Sequence, residues 1–395
     1  MFKSGSEETA GRIRAFYDRF GITRVGNTTG LDILGIPTVM VFRPNSRSSD
    51  VSQGKGISLA AAEVSGLMEA VESWHAEHIR LPLRHATFQE MAATANVVPL
   101  DALPRMSDGD VAPNAKILWC AGSELTTGRE VWVPYETVTS DACQSSCVGK
   151  SIFPVTTNGL GAGNTKEQAI LHGLYEVIER DAISLNRERC VMRPTHREID
   201  VRTVVDGTAR RLVDQIVRVG QIRLWDISSE IPIPVVRCEI AAPHPGIHYV
   251  PPAEGFGCHS RREIALRRAI LEAAQSRLTH IAGAREDRPR NCYRPPIATN
   301  ALKDNRESGT LDCRKLYHKC HSGRRAELVS VSRTLRQLGF GLPVVVDLRQ
   351  AEFDIPVVRV IVPGLEGPTH EFEGSSRHLM AVNPRRVERA RWVES

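Results

Sequence analysis

Three segments of this 395-residue chain repeat one local pattern: a glycine-rich loop, a helix start, then two polar side chains three residues apart. The stretches are SQGKG (52–56), TNGLGAGN (157–164) and EGFGCH (254–259). The helices that follow carry SGLMEAVES (65–73), HGLYEVIER (172–180) and AILEAAQSR (269–277). Glu69 and Glu72 in the first match Glu176 and Glu179 in the second, and Glu272 and Gln275 keep the spacing in the third. From the last glycine to the first acid is 13, 13 and 15 residues. Residues three apart share a helix face, so each pair can aim two polar groups at one point. Hard oxygen donors of this kind suit Mg2+, which is normally shared between a few carboxylates and substrate phosphates. Thr165 with Gln168, and Ser260 with Glu263, have the spacing of capping boxes. Open N–H groups and the positive dipole end at such a start suit a phosphate where glycine lets it approach.

A single Glu-x-x-Glu pair is ordinarily a solvated helix face. The faces argue otherwise in two of the three helices. At ~100° per residue, Ala60, Val64, Leu67, Met68 and Val71 form the apolar arc of the first helix. Glu69 and Glu72 fall beside small residues, Ala62, Ser65 and Ala76. In the third, Glu272 shares its stripe with Arg268, Gln275, Ser276 and Thr279, so something packs close to it. The second helix is less clear, its acids lying opposite Ile170, Leu174, Val177 and Ile178. Recurrence carries the case: the pattern predicts a Mg2+–nucleotide site. It is no Walker loop, because QSSCVGKS (144–151) has Gln144 where the first glycine belongs. No His-Arg-Asp or Asp-Phe-Gly signature of a protein kinase is present.

Elsewhere the patterning predicts helices over 8–20, 56–79, 166–189, 207–220, 260–284 and 323–338. Strands are expected at 35–42, on either side of the turn TTGR, around 221–226, 232–240 and 247–251, and in LPVVVDL and PVVRVIVPG. Strands and helices mix without strict βα alternation, which gives an α+β or mixed α/β fold class. A net charge of +5 on 51 basic and 46 acidic side chains does not announce nucleic acid. No apolar run approaches the ~18 residues that span a bilayer. The opening residues show no signal-peptide core, so a cytoplasmic protein is expected. Nine cysteines without a secretion signal read as reduced thiols. Cys143 and Cys147 form C-x3-C, and Cys313, His318, Cys320 and His321 cluster in CRKLYHKCH. Neither has the paired spacing of a zinc site, and scattered thiols are the reading preferred over a metal at the second cluster.

Taken together, SQGKGISLAAAEVSGLMEAVES, TTNGLGAGNTKEQAILHGLYEVIERDA and GFGCHSRREIALRRAILEAAQSRL resemble the three nucleotide-binding blocks of the YcaO family. ITRVGNTTGLDILGIPTVMVFRP (22–44) resembles that family's N-terminal segment. The resemblance runs from about residue 20 to 285 and more loosely to 365. It implies a fold particular to the family and an ATP- and Mg2+-dependent activation of backbone amides, in which the amide oxygen is phosphorylated. By motif matching it implies Glu69, Glu72, Glu176, Glu179 and Glu272 as metal and phosphate-site carboxylates. Arg180 would neutralise phosphate charge, so Glu176, Glu179 and Arg180 are the catalytic candidates. Ser65, Asn158 and Gln275 would be polar contacts to ATP, and Lys55 and Arg268 further basic ones. The organisation implied is an N-terminal segment over 1–50, a nucleotide-binding core over 51–285, a loop or linker over 286–312 and a C-terminal α/β subdomain with a polar tail over 313–395.

Two departures choose among family activities. Azoline-forming members commonly end in a Pro-x-Pro-x-Pro tail, whereas this chain ends VNPRRVERARWVES with the single Pro384. Ser73 stands after Glu72 where an arginine is commoner. That form, the ITR…LD.LGIP segment and the compact length resemble members encoded beside a TfuA protein, which are associated with thioamides. The expected function is therefore thioamide formation on a peptide or protein substrate. It would use a TfuA-like partner and an external sulfur donor, in a homodimer and without nucleic acid or membrane. An azoline-forming cyclodehydratase and a non-catalytic ATP-binding accessory protein stay open as alternatives.

Overall fold

A computed structural model describes residues 3–106, 114–141, 151–192, 197–242, 250–285 and 311–367. The Cys143–Cys147 pair, most of QSSCVGKS, most of the strand expected at 247–251, nearly all of the 286–312 loop and the tail with Pro384 lie outside these residues. In chain order the helices are α1 Lys3–Arg14, α2 Tyr17–Phe20, α3 Leu59–Glu77, α4 Phe88–Thr94, α5 Lys166–Met192, α6 Gly207–Val217, α7 Arg262–Ala282 and α8 Arg324–Gln337. The strands are β1 Arg24–Asn27, β2 Thr38–Phe42, β3 Val51–Lys55, β4 Leu83–Ala86, β5 Ile117–Glu124, β6 Glu130–Pro134, β7 Leu160–Ala162, β8 Arg197–Ile199, β9 Gln221–Asp226, β10 Val235–Ala241, β11 Ala253–Cys258, β12 Val344–Asp347 and β13 Val357–Ile361. The paired strands run antiparallel. Helices stand beside antiparallel sheets, which is the α+β class.

The chain forms two compact units that interleave along the sequence: residues 1–44, 50–70 and 188–320 in the first, 45–49, 71–187 and 321–395 in the second. α3 is shared, its residues up to Ala70 counted with the first unit and those from Val71 with the second.

In the first unit β1-β2-β3 form one sheet and β11-β10-β9-β8 another. β10 alternates as a half-buried strand should, with Val236, Cys238 and Ile240 turned into a core completed by Ala209, Leu212, Val213 and Ile216 of α6 and Ala265, Ala269, Ile270 and Ala273 of α7. α6 is capped by Asp206, whose carboxylate accepts the Ala209 N–H at 2.9 Å, the local chemistry that starts it there. In the second unit β4-β5-β12-β13-β7 form a sheet, with β6 added on β5. β13 is buried along its whole length and is apolar except for Arg359 at its middle.

The three glycine-rich stretches are not open phosphate loops. They are β3, β7 with its flanks, and β11, each laid against the helix that follows it. A Cβ on Gly54 would stand 1.9 Å from the Ala62 carbonyl oxygen, one on Gly161 2.4 Å from that of Ala169, and one on Gly257 2.2 Å from that of Ala265. The glycines thus allow strand and helix backbones to touch, a role that glycine in a strand commonly has.

Two further expectations change. Residues 8–20 divide into α1 and α2. The Ser260–Glu263 capping box does not form: α7 has Arg261 at its N-cap with no side-chain cap, and Glu263 turns instead toward Arg262 and His318. At α5 the box is displaced. Thr165 accepts the Gln168 N–H at 3.2 Å, and the Gln168 side chain accepts from Asn164 rather than Thr165.

Candidate functional site

Two groups of sequence-predicted residues come together, one in each unit. In the first unit the ammonium of Lys55, at the end of β3, lies 2.6 Å from Oε2 of Glu272 on α7. The other carboxylate oxygen of Glu272 faces the backbone N–H of Phe256 at 3.4 Å. Glu69 of α3 belongs to the same group. Burial pushes its carboxyl above the usual range, and Glu272 adds to this; Lys55, Arg285 and the Gln53 N–H pull it back down. One turn along α7 from Glu272, Gln275 holds a buried side-chain oxygen with no hydrogen-bond partner among the described residues. Ser65 and Arg268 are half-buried nearby in sequence on α3 and α7.

In the second unit Glu72 and Glu179 are buried, at 9% and 6% exposure, so they are no solvated face. Glu72 accepts the Ala162 N–H of β7 at 2.6 Å, and His172 stands 3.9 Å from the same oxygen. Arg180 is 3.9 Å from Glu176, one turn away on α5. Asn158, just before β7, carries a second buried side-chain oxygen without a hydrogen-bond partner among the described residues.

A residue outside the predicted set organises this group. Arg359, the middle of β13, is fully buried. Its guanidinium donates to the carbonyls of Val138 (3.1 and 2.8 Å), Thr156 (2.7 Å) and Asn158 (2.7 Å). Burial lowers its pKa to about 10, while Glu176 and Glu72 hold it up. It is therefore a cation at neutral pH, set among carboxylates and fixing the backbone on which Asn158 stands. A lone arginine inside the apolar run PVVRVIVPG was the signal available in the sequence.

Among the described residues no three His, Cys, Asp or Glu side chains close around a point that would hold a metal unaided. Mg2+ does not demand such a cage, because phosphate and water oxygens complete its coordination. Within each unit the residues suit polar, metal-bearing groups of that kind: Gln275 in the first and Asn158 in the second each hold a buried oxygen with no hydrogen-bond partner among the described residues, a desolvated acceptor that costs free energy until it is satisfied.

A family model described as YcaO cyclodehydratase, ATP- and Mg2+-binding, matches residues 53–366. The chain belongs to the YcaO family. ATP and Mg2+ are accordingly its cofactors. A Rhizobium leguminosarum bv. trifolii protein, described as an uncharacterized protein in the tfuA 3′ region, is 36% identical over 372 residues, covering 91% of this chain and 87% of its own. YcaO from Methanopyrus kandleri, solved with AMPPCP and Mg2+, superposes with a TM-score of 0.70 at 25% identity over 91% of each chain. A heterocyclase solved with substrate and cofactor gives a TM-score of 0.74 at 18% identity, covering 91% of this chain and 52% of that one, a likeness of fold. Among the described residues no helix is long and apolar enough to cross a membrane.

Proposed function

We propose that this YcaO protein activates a backbone amide of a peptide or protein for thioamide formation, with a TfuA-like partner and an external sulfur donor. The observation that carries this reading is the 36% identity, over 91% of the chain, to a protein encoded in a tfuA 3′ region. Ser73 after Glu72 supports it.

ATP, when bound with Mg2+, supplies the phosphoryl group that turns the amide oxygen into a leaving group. The protein's part is positioning and charge neutralisation, which is most of what phosphoryl transfer asks of an enzyme. Glu69, Glu72, Glu176, Glu179 and Glu272 would serve as Mg2+ and phosphate-site carboxylates. Lys55, Arg180 and Arg268 would offset phosphate charge, and Ser65, Asn158 and Gln275 would orient the nucleotide. Burial around Glu72 and Glu179 keeps water away and strengthens each of these interactions.

Azoline formation is the second reading, favoured by the cyclodehydratase description of the family model. Mass spectrometry of the substrate separates the two. With sulfide, ATP and the TfuA-like partner present, the product should gain the mass difference between sulfur and oxygen. Loss of water alone would sink the thioamide reading.

A further inference from the structure

Among the described cysteines, Cys120, Cys238, Cys258 and Cys313 are buried and Cys320 is exposed. Burial pushes the Cys120 thiol up to about 12 and that of Cys238 well above its ordinary value. Cys313 donates its S–H to the Thr203 carbonyl at 2.7 Å. Cys320 is differently placed. Its Sγ lies 3.3 Å from Nε2 of His318, and Nδ1 of the same ring lies 3.3 Å from Oε2 of Glu263. That nitrogen and that oxygen are buried within ion-pairing distance, and among the described residues neither makes a hydrogen bond, to the other or to any third group. A nucleophile therefore adjoins a base, and a carboxylate lies within ion-pairing distance of the base's other nitrogen, where it favours the protonated ring.

We propose that Cys320, His318 and Glu263 form a thiol-exchange site that accepts a sulfane sulfur from a persulfide donor. The purpose of the site rests on the thioamide reading, which consumes one sulfur atom per product; its chemistry does not. Exchange between a thiolate and a sulfur–sulfur bond needs access, a proton acceptor and a leaving thiolate, with no enclosing cavity. Cys320 gives its proton to His318 Nε2 and attacks the outer sulfur of R–S–SH. The Sγ–S bond forms, the donor's S–S bond breaks, and R–S⁻ recovers the proton from His318. Loading thus converts Cys320–SH and R–S–SH into Cys320–S–SH and R–SH without net oxidation. A monothiol then discharges the site: one equivalent releases hydrogen sulfide and leaves a mixed disulfide, and a second restores Cys320–SH. The two monothiols are oxidised to their disulfide and the carried sulfur is reduced to sulfide.

The test uses the full chain and glutathione persulfide, followed by alkylation, digestion and mass spectrometry of the Cys320 peptide. Cys320 should acquire one sulfur atom faster than N-acetylcysteine does in competition. His318→Ala should slow loading by roughly a hundredfold, the lower end of what a positioned base contributes. Glu263→Gln should slow it less. His318→Gln and melting curves separate this effect from misfolding. Cys320→Ser should abolish loading and persulfide-driven thioamide formation, yet leave ATP turnover and sulfide-driven product unchanged. Loading no faster than N-acetylcysteine, or unaltered in His318→Ala, overturns the site even if thioamide forms from sulfide. Loading as expected upholds it even if the product proves to be an azoline.

Discussion

The cation beside the acids of the first unit and the one beside those of the second do different work. Lys55 meets Glu272 through a single contact, and both side chains keep about a quarter of their surface exposed (26% and 25%). Arg359 is sealed, and its donors are committed to three backbone carbonyls. A flexible ammonium on a partly hydrated acid can be exchanged for a metal or a phosphate at small cost. A planar guanidinium wired to the main chain cannot be exchanged, but it can hold a loop in place. One cation is poised to respond to a ligand, and the other is framework.

Replacing Arg359 should therefore have the largest effect. Arg359→Met leaves three buried carbonyls and two acids uncompensated, and should cost about 3–5 kcal/mol in urea unfolding. A loss no greater than that of Lys55→Met would abolish the contrast. Next come two acids of the second unit. Glu176→Gln and Glu179→Gln should each lower substrate-dependent ADP release by roughly a hundredfold with the fold retained, as loss of charge stabilisation in the transition state does. Unchanged turnover would remove them from the site.

The smallest effects on stability belong to the first unit. Lys55→Met should shift unfolding by no more than about 1 kcal/mol, yet weaken Mg2+–nucleotide binding by about tenfold, or ~1.4 kcal/mol, in calorimetry. Glu69 sharpens the point through pH. Its folded pKa is raised, so its contribution to stability is complete below the unfolded value of about 4.3 and is lost as pH rises through the folded one. Glu69→Gln escapes that loss and should melt above the wild type at neutral pH, the gap closing toward acid. Mg2+–nucleotide binding by the wild type should weaken over the same interval as the carboxyl takes up its proton.

Much of the architecture could be read from residues alone, because amphipathic periods mark α3, α5, α7 and α8 and apolar runs mark β12 and β13. The glycine strands could not. Glycine has no side chain to alternate, so β3 and β11 show no period of two and read as loops until the helix backbone beneath them is known. The division into two units was equally hidden, since it falls inside α3, where composition and periodicity are continuous. Recurrence singled out Glu69, Glu72, Glu176 and Glu272 as candidates from the sequence. Arg359 was visible only as a charge in the wrong company, and its carbonyl partners at 138, 156 and 158 are more than two hundred positions away in sequence.

The contact between glycine strand and helix separates two kinds of inheritance in such a chain. A carboxylate can be exchanged for another acid, or lost with the chemistry it serves, and the backbone has no reason to notice. The missing Cβ at Gly54, Gly161 or Gly257 admits no such exchange, because any side chain would meet main-chain atoms. Glycine spacing is thus a record of architecture and acid spacing a record of occupation. A sequence that keeps the first and has shed the second would be a relative that folds alike and has given up the nucleotide.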